Sequence, residues 1–178
     1  GALSTGWGGL TEPQRQSWAA ATVNFPYTDI FGDKKELDGK SLYIKLNSNL
    51  ANVGSPSIAA APAPVGIPAF GVDSALVTVG AGIEAFDINV SADTVPAGFA
   101  LAIYATPPVK AGVSFVKNRF RFIGTAAATL GVVNALALYT ARFGTEMTSS
   151  QSIHVRVALV STTSGQMGVP TGVIAENA

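Results

Sequence analysis

The alternation of apolar and polar residues in residues 71–178 is the feature that most limits how this chain can fold. Phe86, Ile88 and Val90 alternate with polar neighbours, and the same two-residue period surrounds Val155. This period gives a strand one buried and one exposed face, which is typical of antiparallel sheets. Together with Gly- and Pro-containing turns, it predicts a mainly β fold, an antiparallel β-sandwich. The predicted strands are 75–79, 84–91, 98–106, 117–123, 135–143, 152–160 and 168–175.

Residues 1–53 have a different pattern, which predicts a small α+β unit with the order helix, hairpin, helix. Thr11 and Gln14 have the spacing of a capping box, so a helix is expected from there to about residue 22. Two short strands, 25–31 and 34–37, are expected to form the hairpin. Asp38 is placed to cap a second helix, in which leucines recur at helical spacing.

The segment 54–70 separates these two regions and is rich in Pro and Ala. It contains four prolines, and such a composition favours an extended polyproline II linker. The predicted domain organisation is therefore an N-terminal unit over 1–53, a linker over 54–70 and a sandwich over 71–178. The sequence leaves open whether this linker folds back or extends to a neighbouring subunit.

The composition excludes several classes of function. The chain has no cysteine, which excludes thiolate catalysis and Cys-ligated zinc, and its one histidine, His154, cannot supply a metal site alone. We predict no catalytic residue, no cofactor and no bound metal. Eleven basic residues balance eleven acidic ones, so nucleic acid is not an expected partner. The apolar runs are too short for a membrane span, and none is predicted.

Two groups of charged or titratable residues lie on the predicted strands. Lys117, Arg119 and Arg121 alternate and are predicted to share one face of one strand. This basic strand face is either a solvated outer face or a patch for an acidic partner. His154 alternates with Ile153 and Val155, so it is predicted to be an exposed histidine at the surface or rim.

Aromatic residues are concentrated in the N-terminal region, and two interpretations remain open. Trp7, Trp18, Tyr27 and Tyr43 are either the packing core of two helices or a contact surface for a neighbouring subunit. Tryptophan and tyrosine dominate the energetics of protein interfaces, so these four are the interface candidates.

The last part of the chain resembles the final two strands of fibronectin type III domains. The resemblance is carried by the alternating run 153–161, the loop Thr162-Thr163-Ser164-Gly165 and the pair Val169-Pro170. It implies an immunoglobulin-like or fibronectin-III-like sandwich. It implies no binding residue.

A second resemblance lies in the N-terminal region. The segments 7–18, Phe31-Gly32-Asp33 and 39–47 resemble a family of uncharacterised proteins associated with bacteriophages and prophages. Members of that family usually carry additional residues before the first tryptophan, so we expect Gly1 to be a processed or truncated terminus. The resemblance implies a structural role in or on a virion.

These observations predict a non-enzymatic structural subunit that acts by packing against other protein subunits. Charged residues make up only 12% of the chain, which suits a surface buried in an assembly. We expect a homo-oligomer or a component of a virion shell, located in a virion or at a cell surface. The alternative is an adhesion or carbohydrate-binding module that uses loops 92–98, 107–116 and 144–151, in which Phe115 is the only aromatic ring.

Overall fold

The computed structural model describes residues 1–28 and 31–177, and it is mostly β, with 33% strand and 26% helix. The chain divides into two compact units. The first contains Gly1–Ile67 and Val160–Met167, and the second contains Pro68–Leu159 and Gly168–Ala178. The helices near the N-terminus belong to the first unit, and antiparallel sheets dominate the second.

The first unit is built from helices α1 (Ala2–Gly8), α2 (Glu12–Ala21) and α3 (Gly39–Asn52). Helix α2 begins at the predicted capping box, where the backbone N–H of Thr11 donates to Oε1 of Gln14 at 2.8 Å. Helix α3 begins after Asp38, whose Oδ1 accepts a hydrogen bond from the backbone N–H of Ser41 at 3.0 Å. Helix α1 was not predicted, because its sequence lacks both a side-chain cap and an apolar period.

The predicted hairpin strands are longer than the observed ones. Strands β1 (Tyr27–Thr28) and β2 (Lys34–Lys35) form a short antiparallel pair. Residues 29 and 30 of the predicted first strand lie outside the described residues. Two residues per strand give few ladder hydrogen bonds, so this hairpin contributes little stability by itself.

The core of the first unit is an aromatic and leucine cluster between α2 and α3. Trp18 is completely buried, and its indole N–H donates to the carbonyl of Ala59 at 2.8 Å. The ring of Tyr43 meets the Trp18 ring edge-on, with centroids 5.3 Å apart. Leu42 and Leu46 complete the contact from α3. A buried indole needs a hydrogen-bond acceptor, and the Pro/Ala-rich segment supplies it.

The segment 54–67 is part of the first unit and is not a separate linker. The side-chain amide of the buried Asn47 donates to the carbonyl of Ile58 at 3.3 Å, and its Oδ1 accepts from the N–H of Ile58 at 2.7 Å. The N–H of Val65 donates to Oε1 of Gln166 at 2.9 Å. A Pro-rich segment has no regular secondary structure to satisfy its backbone, so side chains of the unit do so.

The remaining strands of the chain lie in the second unit, except that the last two residues of one strand, Val160 and Ser161, belong to the first unit. These strands are β3 (Val72–Val79), β4 (Ile83–Val90), β5 (Phe99–Ala105), β6 (Val109–Lys110), β7 (Arg121–Ala126), β8 (Val132–Asn134), β9 (Gln151–Ser161) and β10 (Thr171–Asn177). Their order is β7-β5-β9-β10-β3-β4-β8, and β6 also pairs with β9. Strands β10 and β3 run parallel, whereas β9 with β10, β3 with β4, β4 with β8 and β5 with β7 are antiparallel. The very short strands β6 and β8 were not predicted.

One predicted strand is wrong: residues 135–143 contain helix α4 (Leu136–Phe143). This segment is rich in Leu and Ala and lacks a two-residue polar period, so nothing local favours a strand. Tyr139 anchors the helix, because its ring packs edge-on against Phe86 and its hydroxyl donates to the carbonyl of Thr106 at 3.0 Å. Burial of this phenol raises its pKa.

We predict that Asn47→Leu destabilises the protein by about 2–3 kcal/mol, because it removes the bonds to Ile58 and leaves buried backbone groups without partners. Urea unfolding would measure the change. Asn52→Leu, at the exposed end of the same helix, is the matched control and should change stability by less than about 0.5 kcal/mol. Equal effects of the two substitutions would contradict the role assigned to Asn47.

The cap of α3 predicts a pH dependence. Hydrogen bonds from the Ser41 hydroxyl and N–H lower the pKa of Asp38 below its ordinary value. A lowered folded-state pKa gives stability that is fully present above the unfolded-state pKa and is lost as the pH falls through the folded-state pKa. Asp38→Asn retains a capping side chain without a titrating charge. In urea titrations, the stability difference between the wild-type protein and this variant should therefore shrink as the pH falls into the acid range. A stability difference that does not change with pH would contradict the capping role of the Asp38 carboxylate.

Candidate functional site

The four aromatic interface candidates do not form one accessible surface. Trp18 and Tyr43 are 0% and 4% exposed, so of the two interpretations that the sequence left open, the structure supports the packing core for these two residues. Trp7 is half-buried and packs on the Tyr43 ring, with centroids 5.5 Å apart. Tyr27 is 36% exposed and is the one of the four that remains at the surface.

The basic strand face is also a wrong prediction. Lys117 and Arg119 lie in a short 3-10 helix, Lys117–Arg119, and only Arg121 lies on a strand, at the start of β7. The guanidinium of Arg121 donates to the carbonyls of Asn118 and Phe120, both at 2.8 Å, and these bonds stabilise the turn. All three cations are exposed, and they surround a turn instead of lining a strand.

The segment that carries these cations forms one wall of a groove of about 460 Å³ on strands β9 and β10. The wall is contributed by Ser114, Val116 and Phe120, and the floor by both strands. The other lining residues are His154, Val155 and Arg156 of β9, Pro170 just before β10, and Gly172, Val173 and Ile174 of β10. The groove combines apolar side chains with a single cation, Arg156.

Arg156 is held in the groove by an aromatic ring. Its guanidinium carbon lies 4.1 Å from the centroid of the Phe120 ring, which is a cation–π contact. A guanidinium stacked in this way keeps its N–H groups in the plane, available for a carboxylate. With the side chains that the structure describes, this half-buried side chain forms no hydrogen bond and no ion pair. The groove therefore contains a positioned cation without an anionic partner.

His154 borders the same groove but is not the exposed histidine that the alternation predicted. Its side chain is 7% exposed, and Nε2 lies 3.0 Å from the carbonyl of Val113. Because a carbonyl can only accept, the proton of the neutral ring belongs on Nε2. The loop that contains Val113 covers this part of β9, so an outward-facing strand position becomes buried. His154 therefore acts as an anchor for that loop.

Acidic and basic residues are separated along the sequence of the second unit as far as Arg142, after which Glu146, Arg156 and Glu176 alternate in sign. Asp73, Glu84, Asp87 and Asp93 lie on or next to β3 and β4, and the sequence has no Lys or Arg from 46 to 109. The cations begin at Lys110, and the sequence has no Asp or Glu from 94 to 145. The net charge of zero hides this separation, although the positions of the charges were visible in the sequence.

Asp87 lies at the centre of the polar face of β4. Leu76 of β3 is directly opposite on one side, and Asn134 of β8 is directly opposite on the other. Leu76 is 42% exposed, so the carboxylate has an apolar neighbour at the surface. In the described part of the chain, the Asp87 carboxylate has no hydrogen bond and no ion pair.

Comparisons of the chain with protein-family models, with curated proteins and with solved structures find no match. Across residues 1–28 and 31–177, no helix is long and apolar enough to cross a membrane. In the same residues, His, Asp and Glu side chains form no group of three that could hold a metal ion.

We predict that His154→Leu releases the loop 111–116. The substitution preserves an apolar contact on β9 but removes the hydrogen bond to Val113, so amide exchange in the loop should accelerate. The protein should also lose about 1–2 kcal/mol of stability. Ser152→Ala, on the same strand, is the control, because that hydroxyl has no partner in the described part of the chain. Unchanged exchange in the loop of the His154 variant would contradict the anchor role.

Proposed function

We propose that this protein is a non-enzymatic structural subunit of a larger assembly and that it packs against copies of itself. The observation that carries this proposal is the separation of acidic and basic residues in the second unit of a chain with zero net charge. The acidic residues on or next to β3 and β4 and the basic residues from Lys110 to Arg142 give such a unit regions of opposite charge. Complementary electrostatic potentials steer the association of two copies and determine their relative orientation. A net charge of zero removes the overall electrostatic repulsion between copies.

The finer fold proposed for the second unit is an immunoglobulin-like or fibronectin-III-like sandwich. Strand order supports it. Strand β4 lies between β3 and β8, as strand B lies between A and E in such sandwiches, and β9 lies between β5 and β10, as F lies between C and G. Helix α4 occupies the connection before β9, where a strand was predicted. A rigid sandwich of this kind suits a spacer in an assembly.

We further propose that the assembly is a bacteriophage virion, with the protein as a capsid decoration, head fibre or tail component. The support is the resemblance of the N-terminal motifs to phage- and prophage-associated proteins. Two tryptophans of that motif, Trp7 and Trp18, both pack on Tyr43. The motif therefore includes residues that build the first unit.

An adhesion or carbohydrate-binding module is the second candidate, and one observation favours it. Phe115 is 79% exposed in the loop that precedes the 3-10 helix, and an exposed ring can stack on a sugar. A glycan panel screened with the wild-type protein and with Phe115→Ala tests this candidate. Binding that disappears in the variant would support the module, and a panel without binding would remove it.

The structural-subunit proposal predicts an assembly that depends on salt. Mass photometry and light scattering should find a defined multiple of the 18.1 kDa chain in about 0.1 M salt. The species should dissociate toward the monomer near 1 M salt, because the screening length falls from about 10 Å to about 3 Å. A monomer at every salt and protein concentration would contradict the proposal. In material isolated from the source, co-sedimentation with virions would support the virion assignment.

A further inference from the structure

We propose that the Arg156 groove of one copy receives Asp87 of a second copy, so that copies associate head to tail. This inference rests on the proposed function, and it names the partner and the charge pair that would join the subunits. In this contact, the guanidinium of one copy binds the carboxylate of the other, and apolar side chains lie beside the pair. The two ends of the contact lie on different strands of the second unit, β9 and β4.

The groove is suited to a carboxylate that approaches with an apolar neighbour. Phe120 holds the guanidinium of Arg156 in one orientation, so less side-chain conformational entropy is lost when a partner binds. Planar N–H donors match the two oxygens of a carboxylate. Ile174, which also lines the groove, is 51% exposed and provides apolar contact area beside the cation.

Among the acidic residues on or next to β3 and β4, Asp87 best fits this groove. Its carboxylate is unpaired in the described residues, and the exposed Leu76 lies directly opposite it. The carboxylate of Glu84 instead lies against Gly80 in its own hairpin turn. Asp73 lies near the start of β3, and Asp93 lies in the loop that follows β4. Asp87 therefore offers the acid and apolar pair that Arg156 and Ile174 complement.

The pairing must occur between copies. Strands β10 and β3 lie between β9 and β4 in the strand order. Strand β9 is therefore three strand spacings of about 4.8 Å from β4. Arg156 forms no ion pair within the described part of its own chain. A contact between two different surfaces is heterologous, and it produces a ring if the rotation closes and a filament if it does not.

Two neutral variants test the pairing. Arg156→Gln disables the groove but keeps Asp87, whereas Asp87→Asn disables the acidic face but keeps the groove. Each variant alone should associate more weakly by a factor on the order of ten or more. A mixture of the two leaves one intact contact per pair of chains, so it should yield heterodimers of twice the 18.1 kDa chain mass that do not grow further.

The controls separate this inference from general effects. Arg142→Gln and Asp73→Asn each remove one exposed charge outside the proposed contact, and they should assemble as the wild-type protein does. The double variant Asp87→Arg with Arg156→Glu exchanges the charges and should recover assembly. This recovery would exclude misfolding as the reason for the single-variant losses, and thermal melts of each variant provide a second check.

The outcomes distinguish the inference from the function on which it rests. A wild-type protein that stays monomeric would overturn both. Assembly of the wild-type protein that neither neutral variant weakens would overturn only the pairing. Loss of assembly in both variants without heterodimers in their mixture would also overturn it, because the two residues would then not be partners. Heterodimers together with recovery in the exchanged double variant are the expected result.

Discussion

The pairing of β10 with two different strands is the interaction on which the second unit depends. Thr171–Ala175 pair with β9, and Glu176 and Asn177 pair in parallel with β3, so one strand connects both groups of strands. The same strand creates room for the groove. Gly172 lies opposite Arg156, and a Cβ at this position would lie 2.8 Å from both the Arg156 side chain and the Val155 carbonyl. The absence of a side chain at Gly172 therefore leaves space for the arginine that Phe120 orients.

Charge distribution matters more for this protein than net charge. Equal numbers of acidic and basic residues argue against nucleic acid as a partner, but they say nothing about where the charges lie. The acidic residues at 73–93 and the cations from Lys110 to Arg142 occupy different parts of the second unit's sequence, and Glu146, Arg156 and Glu176 follow them. Arg156 and Asp87 each combine an apolar neighbour with a charge that has no ion pair in the described part of the chain. An assembly built on such surfaces would be directional, because each copy presents both halves of the contact.

The first unit shows why an aromatic-rich motif need not be an interface. Trp18 and Tyr43 lie on neighbouring helices, and both are buried in the apolar cluster that forms the core of this small unit. The Pro/Ala-rich segment completes this core by accepting the indole N–H and by bonding with Asn47. What composition alone presents as a linker is therefore a structural part of the unit.

The sequence by itself determined the features that depend on neighbouring residues. The caps at Thr11 and Asp38 and the alternation in β4 and β9 were predicted correctly, because capping bonds and strand periodicity involve residues only a few positions apart. Only the tertiary structure decided where helix α4 is anchored, that His154 is buried and that Arg156 stacks on Phe120. The hydrogen bond of Tyr139 to Thr106 joins residues 33 positions apart, and that of His154 to Val113 joins residues 41 positions apart. No local sequence pattern encodes contacts between segments so far apart. The secondary structure is therefore largely local in origin, whereas the candidate site arises from long-range packing.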